Sequence, residues 1–182
     1  MKLSVVIPHH YGLNNVEEPL KRCISHLKGH HELIVIANDG IGYGAAVNMG
    51  MSYATGDHIF VCNNDTWLVE GTLRDLCLNV ITVPKISPEP KDRMPRAAFC
   101  IPKWVYDRFL EVYGYFFDER FEIGYWEDDD LIYRIREQGL EARYIEHVHL
   151  FHQDGGGLSM KQMGEQHFYD ENKKIFEEKW NK

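Results

Sequence analysis

Apolar residues fall along this chain in short unbroken runs, separated by stretches where they recur at helical spacing. Leu3 to Ile7, Leu33 to Ala37 and Ile59 to Cys62 are each the length of a strand buried on both faces. Between the first two, Leu20, Cys23, Ile24 and Leu27 keep a helical period. Asn14 or Asn15 is available as its cap, Pro19 fits the first turn and Gly29 is the stop. Strand, helix, strand is a βαβ unit and predicts a parallel sheet with a right-handed crossover.

The glycine-rich segment Gly40 to Gly50 leads into a further helix, and Gly56 and Asp57 lead into the third strand. Beyond Asp65, the positions Leu73, Leu76, Cys77 and Val80 predict another helix, and Val80 to Ile86 a strand. Residues Ser87 to Arg96 are proline-rich and charged, as in a surface loop. A strand at Ala97 to Ile101 and a helix from Pro102 to about Val112 follow. After the aromatic stretch Gly114 to Phe121, a helix to Gln138 turns Leu131, Ile132 and Ile135 inward, with Arg134 and Arg136 among its polar positions. Glu141 to Ile145 and Val148 to Phe151 read as two short strands, Gly155 to Gly157 as a turn, and Met160 to Trp180 as an amphipathic helix or tail.

The predicted strands end in polar residues: His9 and His10 after Pro8, Asn38 and Asp39, then Asn63, Asn64 and Asp65. In an open α/β sheet, ligands bind beyond the carboxyl ends of the strands. Asn and Asp are also ordinary turn residues. An Asp flanked by amides at a strand exit is nevertheless placed to hold a hard cation through its oxygens. Gly42-Tyr43-Gly44 invites a dinucleotide reading, but Val47 stands where the third glycine belongs, and the segment follows the second strand. A close approach of backbone to some ligand at these glycines remains the expectation.

Composition narrows the classes. With 182 residues, 44% hydrophobic and 26% charged, the chain is an ordinary globular one with a single sizeable core. Its net charge of −8 argues against non-specific binding to nucleic acid. No apolar run approaches a membrane span, and the opening MKLSVVIPHH, broken by Pro8, is too short for a secretory signal. Cys23, Cys62, Cys77 and Cys100 are scattered among apolar residues, with no CxxC pair, as in a reduced, cytoplasmic protein.

Two polar clusters carry candidate chemistry. Glu127, Asp128, Asp129 and Asp130 stand at a helix start, where carboxylates suit the macrodipole. Four adjacent carboxylates also repel, so one should keep its proton to higher pH or be relieved by a cation, and such a group can act as a general base. Tyr125 and Trp126 directly precede them, as suits a site for a sugar or other ring. Glu127 and Asp130 share a helix face while Asp128 points elsewhere. His147 and His149 alternate on a strand, and His152 falls at its exit, where it could complete a metal site begun by Asp65.

In their order, these motifs resemble those of the family 2 glycosyltransferases with the GT-A fold. SVVIPHHYG looks like the first strand and nucleotide turn, and LIVIAND like the second strand with its acidic end. The segment from Gly42 to Trp67 is similar to the run up to a DXD-type metal motif. GYFFDERFEIGYWEDDDLIYRIREQG resembles the acceptor loop and catalytic ED motif, and HLFHQDGG the late metal-binding histidine. The resemblance spans residues 3 to about 155. Two departures stand out: Asn63 occupies a place that often holds an acidic residue or asparagine, which makes the metal motif a variant, and a usual insertion between Asp39 and Gly42 is missing.

The resemblance implies a role for each matching residue. Asp65 and His152 would bind Mn²⁺ or Mg²⁺, and Asp128 would be the catalytic base. Pro8, His9, Asn38, Asp39, Asn63 and Asn64 would line the nucleotide, and Trp126 and Glu127 would face the acceptor. The implied fold is α/β, a GT-A (Rossmann-like) single domain over residues 1–182, with a mixed, mainly parallel sheet flanked by helices, a core at about 3–155 and a helical tail at about 160–182. The implied activity is an inverting, metal-dependent transfer of a sugar from a nucleoside-diphosphate sugar to an acceptor hydroxyl, on a carbohydrate or another molecule. A nucleotidyltransferase, or a non-catalytic nucleotide-sugar or carbohydrate-binding module, is the alternative. The former would more often show a basic glycine-rich loop near its start, and the latter would need no base.

Overall fold

The structure, a computed structural model, describes residues 1–11, 17–27, 32–88, 96–153 and 165–180. The expected helix caps at Asn14 or Asn15, the stop at Gly29, most of the proline-rich loop and the Gly155 to Gly157 turn lie outside these residues.

Strands β1 (Leu3–His9), β2 (Glu32–Ala37) and β3 (His58–Cys62) form where the apolar runs predict them, with helices α1 (Glu17–His26) and α2 (Tyr43–Tyr53) between them. Every residue of β1 is buried. Its alternate side chains enter opposite faces: Val6 packs with Val61, Phe99 and Met51, while Val5 and Ile7 pack with Phe60, Cys23 and Leu27. Helices covering both faces therefore require the continuous apolar runs seen in the sequence.

The chain continues through β4 (Thr66–Glu70), a 3₁₀ turn (Leu73–Leu76), β5 (Ile81–Ser87), β6 (Ala98–Pro102) and α3 (Lys103–Tyr113). Helix α4 (Glu127–Glu137), β7 (Ala142–His152) and α5 (Glu165–Trp180) complete it. The sheet has seven strands in the order β2-β1-β3-β6-β5-β7-β4.

Three local expectations change. β4 forms where no strand is expected. The helix expected from Leu73 to Val80 contracts to one 3₁₀ turn, because Thr72 and Asp75 close a reciprocal cap at its start and Cys77 N–H bonds Arg74 at its end. The two short strands near the C-terminus are one, β7, whose register against β5 slips between Pro84 and Lys85 and absorbs the polar break at Glu146 and His147. The sheet is mixed and mainly parallel, as expected: β1, β2, β3, β5 and β7 run one way, and β6 and β4 run against them.

The antiparallel pairs matter for the site. β6 runs against β3 with Ala98 opposite Cys62, so its amino end meets the carboxyl end of β3. β4 runs against β7 with Thr66 opposite His152, so the exit of β7 returns to the turn that opens β4. Among the described residues no helix is long and apolar enough to cross a membrane.

Candidate active site

Asn63, Asn64 and Asp65 form the turn between β3 and β4. Thr66 closes it with two bonds to the Asn63 carbonyl, 3.2 Å from its N–H and 2.7 Å from its hydroxyl. The Gln153 N–H donates to the Asp65 carbonyl at 2.9 Å, tying the end of β7 to the same turn. His152 Nε2 then lies 3.1 Å from Asp65 Oδ1 and 3.3 Å from Asn63 Nδ2. Asn63 Oδ1 is buried and makes no hydrogen bond among the described residues. Buried oxygens are normally satisfied. The unbonded Asn63 oxygen, with the Asp65 oxygen and the imidazole nitrogen that face each other at 3.1 Å, is a donor set that fits a divalent cation. His147 and His149 are not part of it: His147 faces Asp75 at 4.0 Å and His149 bonds Ser87 at 2.8 Å.

The exits of β1 and β2 meet beside this turn. The Asn38 N–H donates to the His9 carbonyl at 2.9 Å. Asp39 accepts from the Tyr11 N–H at 3.2 Å and pairs with His10 at 2.8 Å. His9 is buried, and burial lowers its proton affinity, so the ring is neutral at pH 7. Its Nδ1 takes a 2.7 Å bond from the Asn64 amide. The proton then sits on Nε2, a buried donor with no partner among the described residues. Asn38 Oδ1 is likewise unbonded. Pro8 precedes His9 within β1, opposite Ile36 of β2.

The acidic cluster occupies the first turn of α4. Glu127 and Asp130 face inward at 8% and 0% exposure, while the Asp128 side chain keeps 23%. Burial, then the neighbouring Asp128, pushes the Glu127 carboxyl up to about 8, so it holds its proton at neutral pH. Asp128 is also raised by burial, against the opposing pull of Arg96. Arg96 bonds Asp128 directly and reaches Asp129 at 3.2 Å. It stands just before β6, so the antiparallel β3/β6 pairing delivers it to the site.

Tyr43 joins the two clusters. Its hydroxyl is buried without a hydrogen bond among the described residues, and its proton affinity is raised by burial and then by Glu127, with Cys62, Asp128 and Asp65 adding to it. One hydroxyl thus feels both the β3 exit and the α4 acids. The glycines around it approach the chain's own loop: a Cβ on Gly42 would lie 2.9 Å from Ile123 N, and one on Gly44 3.1 Å from the Phe117 Cβ. The Tyr43 N–H also donates to the Ile123 carbonyl at 2.9 Å.

That loop is strained. Ile123, Tyr125 and Trp126 adopt left-handed φ values of 63°, 72° and 70°. Each costs about 1–3 kcal/mol, and such strain concentrates at functional sites. The Trp126 ring packs on Tyr169 and Phe176 of α5 at 5.4 and 5.0 Å, and its Nε1 is buried and unbonded among the described residues. Tyr43, Arg96 and the α5 side chains escape the sequence reading. Only the glycines flanking Tyr43 signal a crowded position.

A glycosyl transferase family 2 model matches residues 14–82. Crystal structures of S. aureus TarS 1-349 share the fold: the complex with UDP-GlcNAc at TM-score 0.58 and 12% identity, over 87% of this chain and 61% of that one, and the complex with UDP at 0.59 and 11%, over 83% and 60%. GalNAc-T7 with UDP, GalNAc and Mn²⁺ aligns at TM-score 0.59 and 14% identity, over 85% of this chain and 44% of that one. The chain therefore spans about three fifths or less of these proteins. No curated protein sequence matches it. The segment matched by the family 2 model contains α1 to β4 and the Asn63–Asp65 turn, and the sheet shared with these structures gives the chain the fold of the GT-A glycosyltransferases.

Proposed function

We propose that this protein is an inverting, metal-dependent glycosyltransferase that uses a nucleoside-diphosphate sugar. The observation carrying this reading is the apposition of His152 and Asp65, 3.1 Å apart, with the unbonded Asn63 oxygen beside them at the carboxyl end of the sheet. UDP-containing complexes of TarS and the UDP and Mn²⁺ complex of GalNAc-T7 support the donor class.

Asp65 and His152 would hold Mn²⁺ or Mg²⁺, with the Asn63 oxygen beside them. Such a cation neutralises charge developing on a leaving diphosphate. The His9 Nε2–H and the Asn38 oxygen are satisfied by the nucleotide, with Pro8, Asp39 and Asn64 shaping its pocket. The acceptor hydroxyl loses its proton to Asp128 as its oxygen bonds to the anomeric carbon. The bond from that carbon to the diphosphate oxygen breaks, and its electron pair leaves with the nucleotide. A single displacement inverts the anomeric centre. Protonated Glu127 can donate a hydrogen bond to the acceptor, and Trp126 forms the wall beside it. The four free thiols support a reducing, cytoplasmic setting.

Calorimetry with UDP in Mn²⁺ and in EDTA tests the site, alongside release of UDP from UDP-GlcNAc. Tighter UDP binding with Mn²⁺ and measurable turnover are expected. Equal affinity in both buffers removes the metal. Binding without turnover on any acceptor favours the non-catalytic module.

A further inference from the structure

The strained loop before the acids is held from one side by α5, and the contact is concentrated on one side chain. Asn172 is 1% exposed. Its Nδ2 donates toward three backbone carbonyls, those of Glu122 at 2.9 Å, Gly124 at 2.8 Å and Tyr125 at 3.1 Å. An amide has two N–H donors, so three acceptors converge on two hydrogens. Carbonyls so close in sequence converge on one point because the backbone between them takes the left-handed turns at Ile123 and Tyr125.

The same face of α5 supplies the rest of the seat. Tyr169, Asn172, Phe176, Lys179 and Trp180 recur at helical spacing. Tyr169 meets Tyr125 and Trp126, and Phe176 meets Trp126. Trp180 Nε1 donates to Asp130 at 2.9 Å, and Lys179 reaches Asp130 and Asp118, each at 2.7 Å. On its other side the loop bears on Gly42 and Tyr43.

We propose that α5 is a positioning element for the acceptor side of the site, with Asn172 as the positioning residue that fixes the left-handed loop and so the start of α4. Through that start it aims Trp126, Glu127 and Asp128. The proposal rests on the glycosyltransferase reading for its catalytic consequence. Its conformational part stands on the contacts alone.

Asn172→Asp tests it. The change is nearly isosteric, yet the carboxylate at neutral pH only accepts hydrogen bonds and faces three carbonyls. Asn172→Ala and the amide-keeping Asn172→Gln accompany it, with Val105→Ala as a core-destabilised control away from the loop. Three readouts are taken: amide hydrogen exchange over residues 122–127, the rate of UDP-GlcNAc hydrolysis per folded molecule, and UDP affinity by calorimetry. Asn172→Asp and Asn172→Ala should speed exchange in the loop and cut hydrolysis by about 100-fold, as misplacement by an ångström does. UDP affinity should stay within about twofold of wild type, because the nucleotide side of the site is unchanged. Asn172→Gln should recover part of the loss, and Val105→Ala should keep the wild-type rate. Wild-type exchange in Asn172→Asp overturns the proposal, as does faster exchange with undiminished hydrolysis. A wild-type protein that neither binds UDP nor hydrolyses UDP-GlcNAc overturns the functional reading instead, and the exchange data then judge the clamp by themselves.

Discussion

Arg134 and Asp130 pair one helical turn apart on α4, Nε to Oδ2 at 2.7 Å, and neither side chain has any exposed surface. Arg134 also donates to the Phe116 carbonyl at 2.8 Å, and its guanidinium lies over Phe109, Tyr113 and Tyr115. The arginine expected among the polar positions of this helix is therefore a core residue, made tolerable by its partner. Removing one member of such a pair leaves a buried, uncompensated charge and costs about 3–5 kcal/mol. Asp130→Ala should lose about that much in urea unfolding.

Glu127 gives the stability a pH dependence. Its folded carboxyl holds a proton to about 8, against 4.5 for the ordinary group. Between those values the folded state binds more protons than the unfolded one, so stability falls as pH rises. The contribution is complete below about 4.5 and is lost as pH climbs through about 8. Glu127→Gln is neutral throughout and should flatten that part of the curve. Midpoints of unfolding from pH 5 to 9 for both proteins check this, and parallel curves would clear Glu127 of the effect.

Gly42 combines a φ of 81° with a virtual Cβ only 2.9 Å from the Ile123 nitrogen. Gly42→Ala meets both the backbone penalty and a clash against main chain, so a loss of about 1–3 kcal/mol is expected. The clash pushes on the loop that precedes Trp126, so acceptor-dependent turnover should fall further than stability alone explains. Full activity per folded molecule would show that the loop yields at no cost.

β1, β3 and the acids of α4 are legible because burial on two faces leaves continuous apolar runs and a helix start attracts carboxylates, whereas β2 keeps its apolar run at the sheet edge, only half-buried. β4 is hidden: Thr66-Trp67-Leu68-Val69-Glu70 follows a turn directly, and only its pairing with β7 makes it a strand. That pairing is what carries His152 to Asp65. Arg96 and Asn172 reach the site from 32 and 50 positions away, measured to Asp128 and Glu122, and no local period announces contacts of that range. Tyr43 sits in a glycine-rich segment that invites a dinucleotide-binding reading, yet those glycines serve close packing of protein on protein.

His152 and Asp65 should act together on the cation. Asp65→Ala and His152→Ala are each expected to weaken Mn²⁺-dependent UDP binding by about 10–100-fold, the range for disturbing a metal's partners. In EDTA all three proteins should bind UDP alike. Calorimetry in both buffers separates the outcomes, and a loss that persists in EDTA would make these residues nucleotide contacts instead.

If Asp128 is the base, as proposed, it and Arg96 should set the acid limb of the reaction. A base must be ionised to accept the acceptor proton, and burial raises the proton affinity of Asp128 while Arg96 opposes that rise. Asp128→Asn keeps size and polarity but cannot take the proton, so turnover should drop by a factor on the order of 100 or more with UDP affinity unchanged. Arg96→Ala removes the charge that holds the carboxylate ionised. The low-pH limb of the rate profile should then move to higher pH, because more of the base is protonated at any given pH. Rates of UDP release from UDP-GlcNAc between pH 5 and 9 follow both variants. If Asp128→Asn turns over normally, the base lies elsewhere in the cluster, and if the limb stays in place in Arg96→Ala, the guanidinium serves only to anchor the start of α4.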